Sequence, residues 1–424
     1  MATNLREKRG LEIAATRRIE RHGEAWRVPS MSGRGIYQVR LGEAPRCECP
    51  DFELTAKPCK HIYAAQFVAK REAYEMTGNG DGTENSTASL PSPFPELEEE
   101  PTKRPTYAQN WPAYNAAQTN EKLLFQVLLA DLCQGVQQPG YSYGRPKLPL
   151  RDMTFSVVFK TYSTFSGRRF HTDLSEAHDK GFIDRLPHFN SVLGYLEEPA
   201  MEAILLAMIE RSSLPLKSVE TEFATDSSGF STSTFGRWFT AKYGREIDFH
   251  EWLKCHLTCG VKTNIVTAVK ITGRNCNDSP EFPALVRQTA KHFTINEMSA
   301  DKQYSSKANL EVAASFGAVP YIPFKIDADG ENQGSVLWEK MFHFYGFHRE
   351  VFLSHYHKRS NSESTFWMVK SKFGEKIRSK GEVAQKNEVL CKVLAHNVCV
   401  VIQSIFELGI DPGFCTDSAL SLLK

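Results

Sequence analysis

The sequence has almost no excess charge of either sign. Lys and Arg number 51 against 50 Asp and Glu, leaving a net charge of +1. That excludes a chain that engages polyanions through global basicity. The N-terminus lacks the apolar run of a secretory leader, and no stretch reads as a membrane span, so an intracellular, cytoplasmic protein is expected. A disulfide framework is missing too. Three of the ten cysteines sit in one cluster and the others are scattered among apolar residues, which suits a reducing compartment and a single metal site. What is present is 41% hydrophobic residues, enough for two or three domains with at least one large core. Charge is concentrated locally. Residues 356–380 carry Lys358, Arg359, Lys370, Lys372, Lys376, Arg378 and Lys380 against Glu363 and Glu375, and Arg6 to Arg27 is also basic. Such runs are either solvated faces or phosphate contacts.

The cysteine cluster lies in residues 1–76. Trp26–Val28 and Ile36–Leu41 read as two strands, joined by a turn rich in Ser and Gly (Ser30, Ser32, Gly33, Gly35). Cys47-Glu48-Cys49 and Cys59-Lys60-His61 follow, and His61 opens an amphipathic helix with Ile62, Ala65, Phe67 and Val68. Two donors from a knuckle and two from a first helical turn are what tetrahedral zinc needs. A module this short buries too little apolar area alone, so the metal would supply much of its folding free energy. The pattern resembles the SWIM zinc finger. That resemblance implies one structural Zn²⁺ on Cys47, Cys49, Cys59 and His61, and a partner that is either DNA or protein.

Residues 77–110 form a linker: a Gly run, Ser and Thr, Pro91 to Pro95, the acidic Glu96 to Glu100, then Pro101 and Pro105. Residues 111–214 read as helical, with candidates at Lys122–Leu132, Met153–Tyr162, Asp173–His178 and Met201–Glu210. This region is either a DNA-end-binding unit of helix-turn-helix type or a helical cap on the next domain.

From residue 215 the chain alternates strands and helices. Strands are expected at Ser218–Asp226, Trp252–Thr258, Asn264–Ile271, Phe293–Ala300 and Val319–Phe324, with helices at Pro280–His292, Ser306–Phe316, Val336–Phe344 and Val383–Leu408. The last is apolar nearly all round and reads as a core helix, His396 and Asn397 being satisfied polar groups within it. Cys255, His256, Cys259 and Cys276 read as core or near-core residues. Asp226 precedes Ser-Ser-Gly, and Asp301 closes the fourth strand. Asp278, before Ser279-Pro280, reads as a helix N-cap.

Between Tyr356 and Lys370 the residues Tyr356, Arg359, Glu363 and Lys370 fall on one helical face, with Arg359, Glu363 and Lys370 about 60°, 20° and 40° behind Tyr356. Ser360, Asn361 and Ser362 are good caps, so the helix has an alternative start there. A carboxylate among cations fits a site holding a divalent metal beside phosphates. Its bland alternative is an Arg359–Glu363 surface pair. The order Tyr, two residues, Arg, three residues, Glu, six residues, Lys resembles the YREK signature of insertion-sequence transposases with a DDE core.

That resemblance implies a multidomain α/β protein: an RNase H-like mixed-sheet catalytic domain over 215–424, preceded by the helical region and a small ββα-like zinc module. It implies an Asp226, Asp301, Glu363 triad binding two Mg²⁺ (or Mn²⁺), which cuts DNA at element ends and transfers the freed strand into target DNA. Tyr356, Arg359 and Lys370 would hold phosphates. Double-stranded DNA is the implied partner, in a homodimeric synaptic complex and a prokaryotic, nucleoid-associated setting. Some relatives flip a base onto an aromatic residue; Trp338 and Trp367 are the candidates here. A β-rich insertion has little room, since Asp301 and Glu363 are 62 positions apart. The alternative is a regulator with the same core that no longer cuts.

Overall fold

The computed structural model describes residues 6, 9–10, 13–14, 17–77, 110–232, 252–325 and 328–415, less 24, 31–34, 43, 56, 141–142, 145, 329 and 331–333. Two compact units divide the chain, Met1–Arg104 and Pro105–Lys424. The expected linker lies, but for its ends, outside the described residues.

In the first unit, β1 (Glu20–His22), β2 (Ala25–Pro29), β3 (Ile36–Arg40) and β4 (Arg46–Cys47) form an antiparallel sheet in sequential order. The two central strands are those expected. The flanking pair went unread because a strand of two or three residues shows no alternation. A short helix α1 (Pro50–Thr55) separates the two Cys-containing segments, and α2 (Lys60–Thr77) carries Ile62, Ala65 and Val68 into the core beneath Trp26, Val28 and Val39.

The second unit is built on a five-stranded mixed sheet. Its strands are β5 (Glu222–Ser231), β6 (Trp252–Gly260), β7 (Val266–Gly273), β8 (Glu297–Ala300) and β9 (Val319–Tyr321), in spatial order β7-β6-β5-β8-β9. The first three are antiparallel neighbours, while β8 and β9 run parallel to β5. This is the RNase H-like arrangement.

Side chains alternate between two cores. Phe223, Met298 and Ala300 face α8 (Phe282–Ala290), α9 (Lys307–Ser315) and α10 (Val336–Phe347). Ala224, Phe230, Cys255, Leu257 and Cys259 face the other way. There they meet α3 (Trp111–Cys133), α4 (Leu150–Ser163), α5 (Gly167–Asp179), α6 (Phe189–Leu196) and α7 (Ala200–Ser213). So the helices of 111–214 share one core with the sheet.

The chain ends its described course through α11 (Arg349–Tyr356), α12 (Ser360–Phe373) and α13 (Glu382–Leu408). By length and composition α13 could cross a membrane, contrary to the expectation that no stretch would. With 78% of its apolar window buried within the protein, it is the central core helix. His396 Nε2 lies 2.9 Å from the Asn264 carbonyl, and Asn397 pairs with both backbone groups of Val266. Both polar residues thus satisfy backbone at the start of β7.

Two expectations need correcting. The first strand does not stop at Asp226. Its antiparallel pairing with β6 runs on to Ser231, opposite Trp252, so Asp226 lies mid-strand and only its parallel pairing with β8 ends beside it. Asp278 does stand at an N-cap position, before the 3-10 turn Ser279–Glu281, but its side chain makes no cap bond. Its Oδ1 instead accepts from Ser227 Oγ at 2.9 Å and Lys254 Nζ at 2.7 Å.

Candidate active site and zinc cluster

Register places the two aspartates side by side. The last parallel pair is Thr225 with Ala300, so Asp226 comes next on β5 and Asp301 is the first residue past β8, where its Oδ1 accepts from the Lys302 amide at 2.6 Å. Alternation sends both away from the core that holds Phe223, Met298 and Ala300, toward α12. Ser227 points the opposite way and meets Asp278. Asp278 therefore lies on the opposite face of the sheet from Asp226, with Ser227 and Lys254.

The helix carrying Glu363 starts at Ser360. The chain does not run as one α-helix from Tyr356 to Lys370. α11 ends at Tyr356, a 3-10 turn spans His357–Arg359, and α12 follows. The short polar side chains of Ser-Asn-Ser-Glu-Ser-Thr explain the break and dock the helix. Asn361 Nδ2 donates to the Val261 carbonyl at 2.6 Å, and Thr365 Oγ1 to Asn264 Oδ1 at 3.2 Å. Both acceptors lie in the β6–β7 turn, where Asn264 takes a φ of 64°. Ser362, fully buried, donates to Asp226 Oδ2 at 3.2 Å. The sequence marks Asn361 and Ser362 only as caps and does not mark Thr365. The available signal was two short polar residues, Ser362 and Thr365, three apart on a face turned to an apolar core.

Arg359 joins the parts. Its Nη1 lies 2.8 Å from Asp226 Oδ2 and its Nη2 2.6 Å from Glu363 Oε1, and its guanidinium carbon is 5.9 Å from the centre of the half-buried Tyr356 ring. Lys370 Nζ donates to Ser228 Oγ at 2.8 Å, two residues along β5 from Asp226. Two of the four signature residues, Arg359 and Lys370, thus touch the strand that carries Asp226, and Tyr356 and Glu363 flank Arg359. Behind them Lys358 pairs with Glu222 and Glu297 at 2.8 Å each, anchoring the turn to β5 and β8.

Burial lifts the Asp226 carboxyl above the usual carboxylate range. The Ser227 amide, Arg359 and Ser362 oppose that rise, and Asp301 adds to it. Two neighbouring carboxylates that resist ionising together are suited to a cation, and between Asp226 and Glu363 a guanidinium already supplies positive charge. The side chains of Asp226 and Arg359 are each 19% exposed, whereas that of Glu363 is 61% exposed.

The cysteine cluster is tighter. Cys47, Cys49, Cys59 and His61 are all buried, with donor atoms within 4.8 Å of one another. His61 Nδ1 is 3.9 Å from both Cys47 Sγ and Cys59 Sγ. A tetrahedral ion with bonds of about 2.0–2.3 Å sets its donors roughly 3.3–3.8 Å apart, so the four fit one zinc. The Cys59 thiol is lowered, chiefly by its bond with Cys47, with burial opposing and the bonds with His61 and the Ile62 amide adding to the fall. Among the described residues this is the only His, Cys, Asp and Glu cluster so compact.

Residues 217–398 match the transposase DDE domain family model, and residues 37–66 match that of the SWIM zinc finger. No solved structure matches the chain. The mixed sheet, the helix that returns to it and the four-donor cluster fall inside those two segments, so the chain carries a transposase DDE domain with a SWIM zinc finger N-terminal to it.

Proposed function

We propose that the protein is a DNA transposase whose Asp226, Asp301 and Glu363 bind two Mg²⁺ (or Mn²⁺) and cut DNA at element ends. The observation that carries this reading is the register of β5 and β8, which sets Asp226 beside Asp301 on the face toward α12. When bound, a metal pair supplies an activated water and neutralises charge on the leaving oxygen. The protein's own side chains do the rest. Asp226 and Asp301 hold hard oxygen donors at the sheet, and Glu363 brings a third on a helix docked through Asn361 and Thr365. Ser362 and the Ser227 amide fix the orientation of the Asp226 carboxylate. Arg359 and Lys370 offer cationic groups to phosphates, with Arg359 exchanging its carboxylate partners for the backbone of bound DNA. The same groups would serve strand transfer into a target by a second in-line attack. A homodimer is the expected synaptic form.

Residues 1–76 are assigned as the zinc finger, 77–110 as linker, 111–214 as the DNA-end-binding helical region and 215–424 as the catalytic domain. The test is Mg²⁺-dependent nicking of duplexes bearing the element's terminal repeat. Asp226→Asn should reduce cleavage by about a thousandfold or more while leaving DNA binding intact. Cleavage at the wild-type rate would remove Asp226 from the site.

A further inference from the structure

Beyond Lys370 the chain keeps returning to β5. Arg359 meets β5 at Asp226 and Lys370 meets it at Ser228. Lys376 then forms a parallel bridge with Ser231, and the Ile377 amide donates to the Ser231 carbonyl at 2.9 Å. Cations are therefore laid out in order along one strand. From Asp226 to Ser231 the strand advances roughly 17 Å. The next cation leaves the sheet: Arg378 Nη1 donates to the Thr164 carbonyl, at the turn between α4 and α5. That turn leads directly into Arg168 and Arg169 on the first turn of α5.

The backbone of this segment is fixed by buried charge. Glu388, on α13, accepts from the amides of Arg378 and Ser379 at 2.8–3.1 Å. Lys392, only 1% exposed, donates to the carbonyls of Gly374 and Lys376 at 2.9 Å each. Burying an ion pair costs desolvation. Here it holds a strip of chain whose outward side chains are Lys376, Arg378 and Lys380, all exposed. Arg169, Lys376 and Lys380 form no ion pair among the described residues. Glu375 is the only carboxylate in 374–381, and 164–170 has none.

We infer that Lys376, Arg378, Lys380, Arg168 and Arg169 form a phosphate track continuing the active site onto the helical region, and that its occupant is the backbone of duplex DNA. A duplex presents one phosphate per strand every 3.4 Å of axis, and the roughly 17 Å along β5 from Arg359 to Lys376 is the stretch that joins this track to the active site. Charge complementarity and a spacing continuous with the site favour DNA over an acidic protein. Contacts of this kind set register and affinity without reading sequence.

The inference rests on the DNA reading above, and its test separates the two. Binding of the full-length protein to a labelled duplex of about 30 base pairs is followed by fluorescence anisotropy over a NaCl series. The triple variant Arg169→Gln, Lys376→Gln, Lys380→Gln should bind more weakly and lose about 2.7 from the slope of log K against log [NaCl], at about 0.9 per contact. Its circular dichroism and melting should match the parent. Lys217→Gln with Lys340→Gln, exposed lysines elsewhere on the same unit, should leave the slope unchanged. An unchanged slope in the triple variant, or an equal loss in the control, overturns the track while the active site stands. A wild-type protein that binds no duplex overturns both.

Discussion

With one guanidinium nitrogen on Asp226 and the other on Glu363, Arg359 balances two carboxylates that would otherwise repel. It also holds the Asp226 pKa down against the lift of burial. Removing it therefore raises the Asp226 pKa further. The acid limb of the cleavage profile should then move to higher pH in Arg359→Gln than in wild type, because Asp226 must be ionised to bind a cation. A pH–rate profile of cleavage on an intact duplex bearing the terminal repeat checks this, and a limb that stays or moves down would separate Arg359 from Asp226 in function. The two tryptophans weighed for base stacking differ in burial. Trp338 is 8% exposed with its ring centre 4.7 Å from that of Phe324, whereas Trp367 is 69% exposed one turn past Glu363. Trp338→Ala should cost about 3–5 kcal/mol of stability in urea unfolding. Trp367→Ala should change stability by no more than about 0.5 kcal/mol, while weakening single-stranded-end binding by about 1–3 kcal/mol. Sequence alone could not rank the pair, since both follow short polar or mixed runs that leave the depth of each ring undetermined.

At the scale of elements, α13 was legible as core from its apolar surround, and the strand order from its runs of alternating residues. What stayed hidden depended on long-range contact. Asp278 looked like a cap because its neighbours are a cap's neighbours, yet its partner Ser227 is 51 positions away. The edge strands β1 and β4 were too short to show a period. Buried His396 on α13 was read as a satisfied polar group, and its environment now gives a consequence. Burial lowers its pKa from 6.5 to about 4, with the Asn264 carbonyl opposing weakly. The unfolded chain then binds this proton more readily than the folded one. Stability is unaffected above about pH 6.5 and falls as pH drops toward 4, by up to about 3 kcal/mol from this group. Urea midpoints taken from pH 7.5 to 4.5 should fall in wild type, and fall less in His396→Gln, which keeps a donor for the carbonyl. Equal slopes in the two proteins would show that His396 titrates normally.

For the whole molecule, the two units owe their stability to different sources. The second unit carries two extensive cores on either side of a five-stranded sheet, and that buried apolar area is its source of stability. The first has one small cluster in which Cys47, Cys49 and Cys59 are themselves core residues beside Trp26, Val28 and Ile62. Its four donors were legible because a metal site needs particular atoms at short spacings, whereas Asp226 and Asp301 meet only through the register of β5 and β8, and Glu363 is tied to Asp226 only through Arg359. Without a cation the first unit would have to bury three cysteine sulfurs against a histidine whose Nδ1 faces two of them. Metal binding there is folding free energy, about 10–16 kcal/mol in zinc-finger peptides, against the few kcal/mol a core of this size supplies. Chelation with 1,10-phenanthroline should therefore release one zinc per chain and abolish hydrogen-exchange protection across β2, β3 and α2, leaving β5, β6 and α13 protected as before. Cys59→Ser should behave as the chelated protein does from the outset. Retained protection across β2 and β3 after complete zinc removal would mean that the module's apolar cluster suffices on its own.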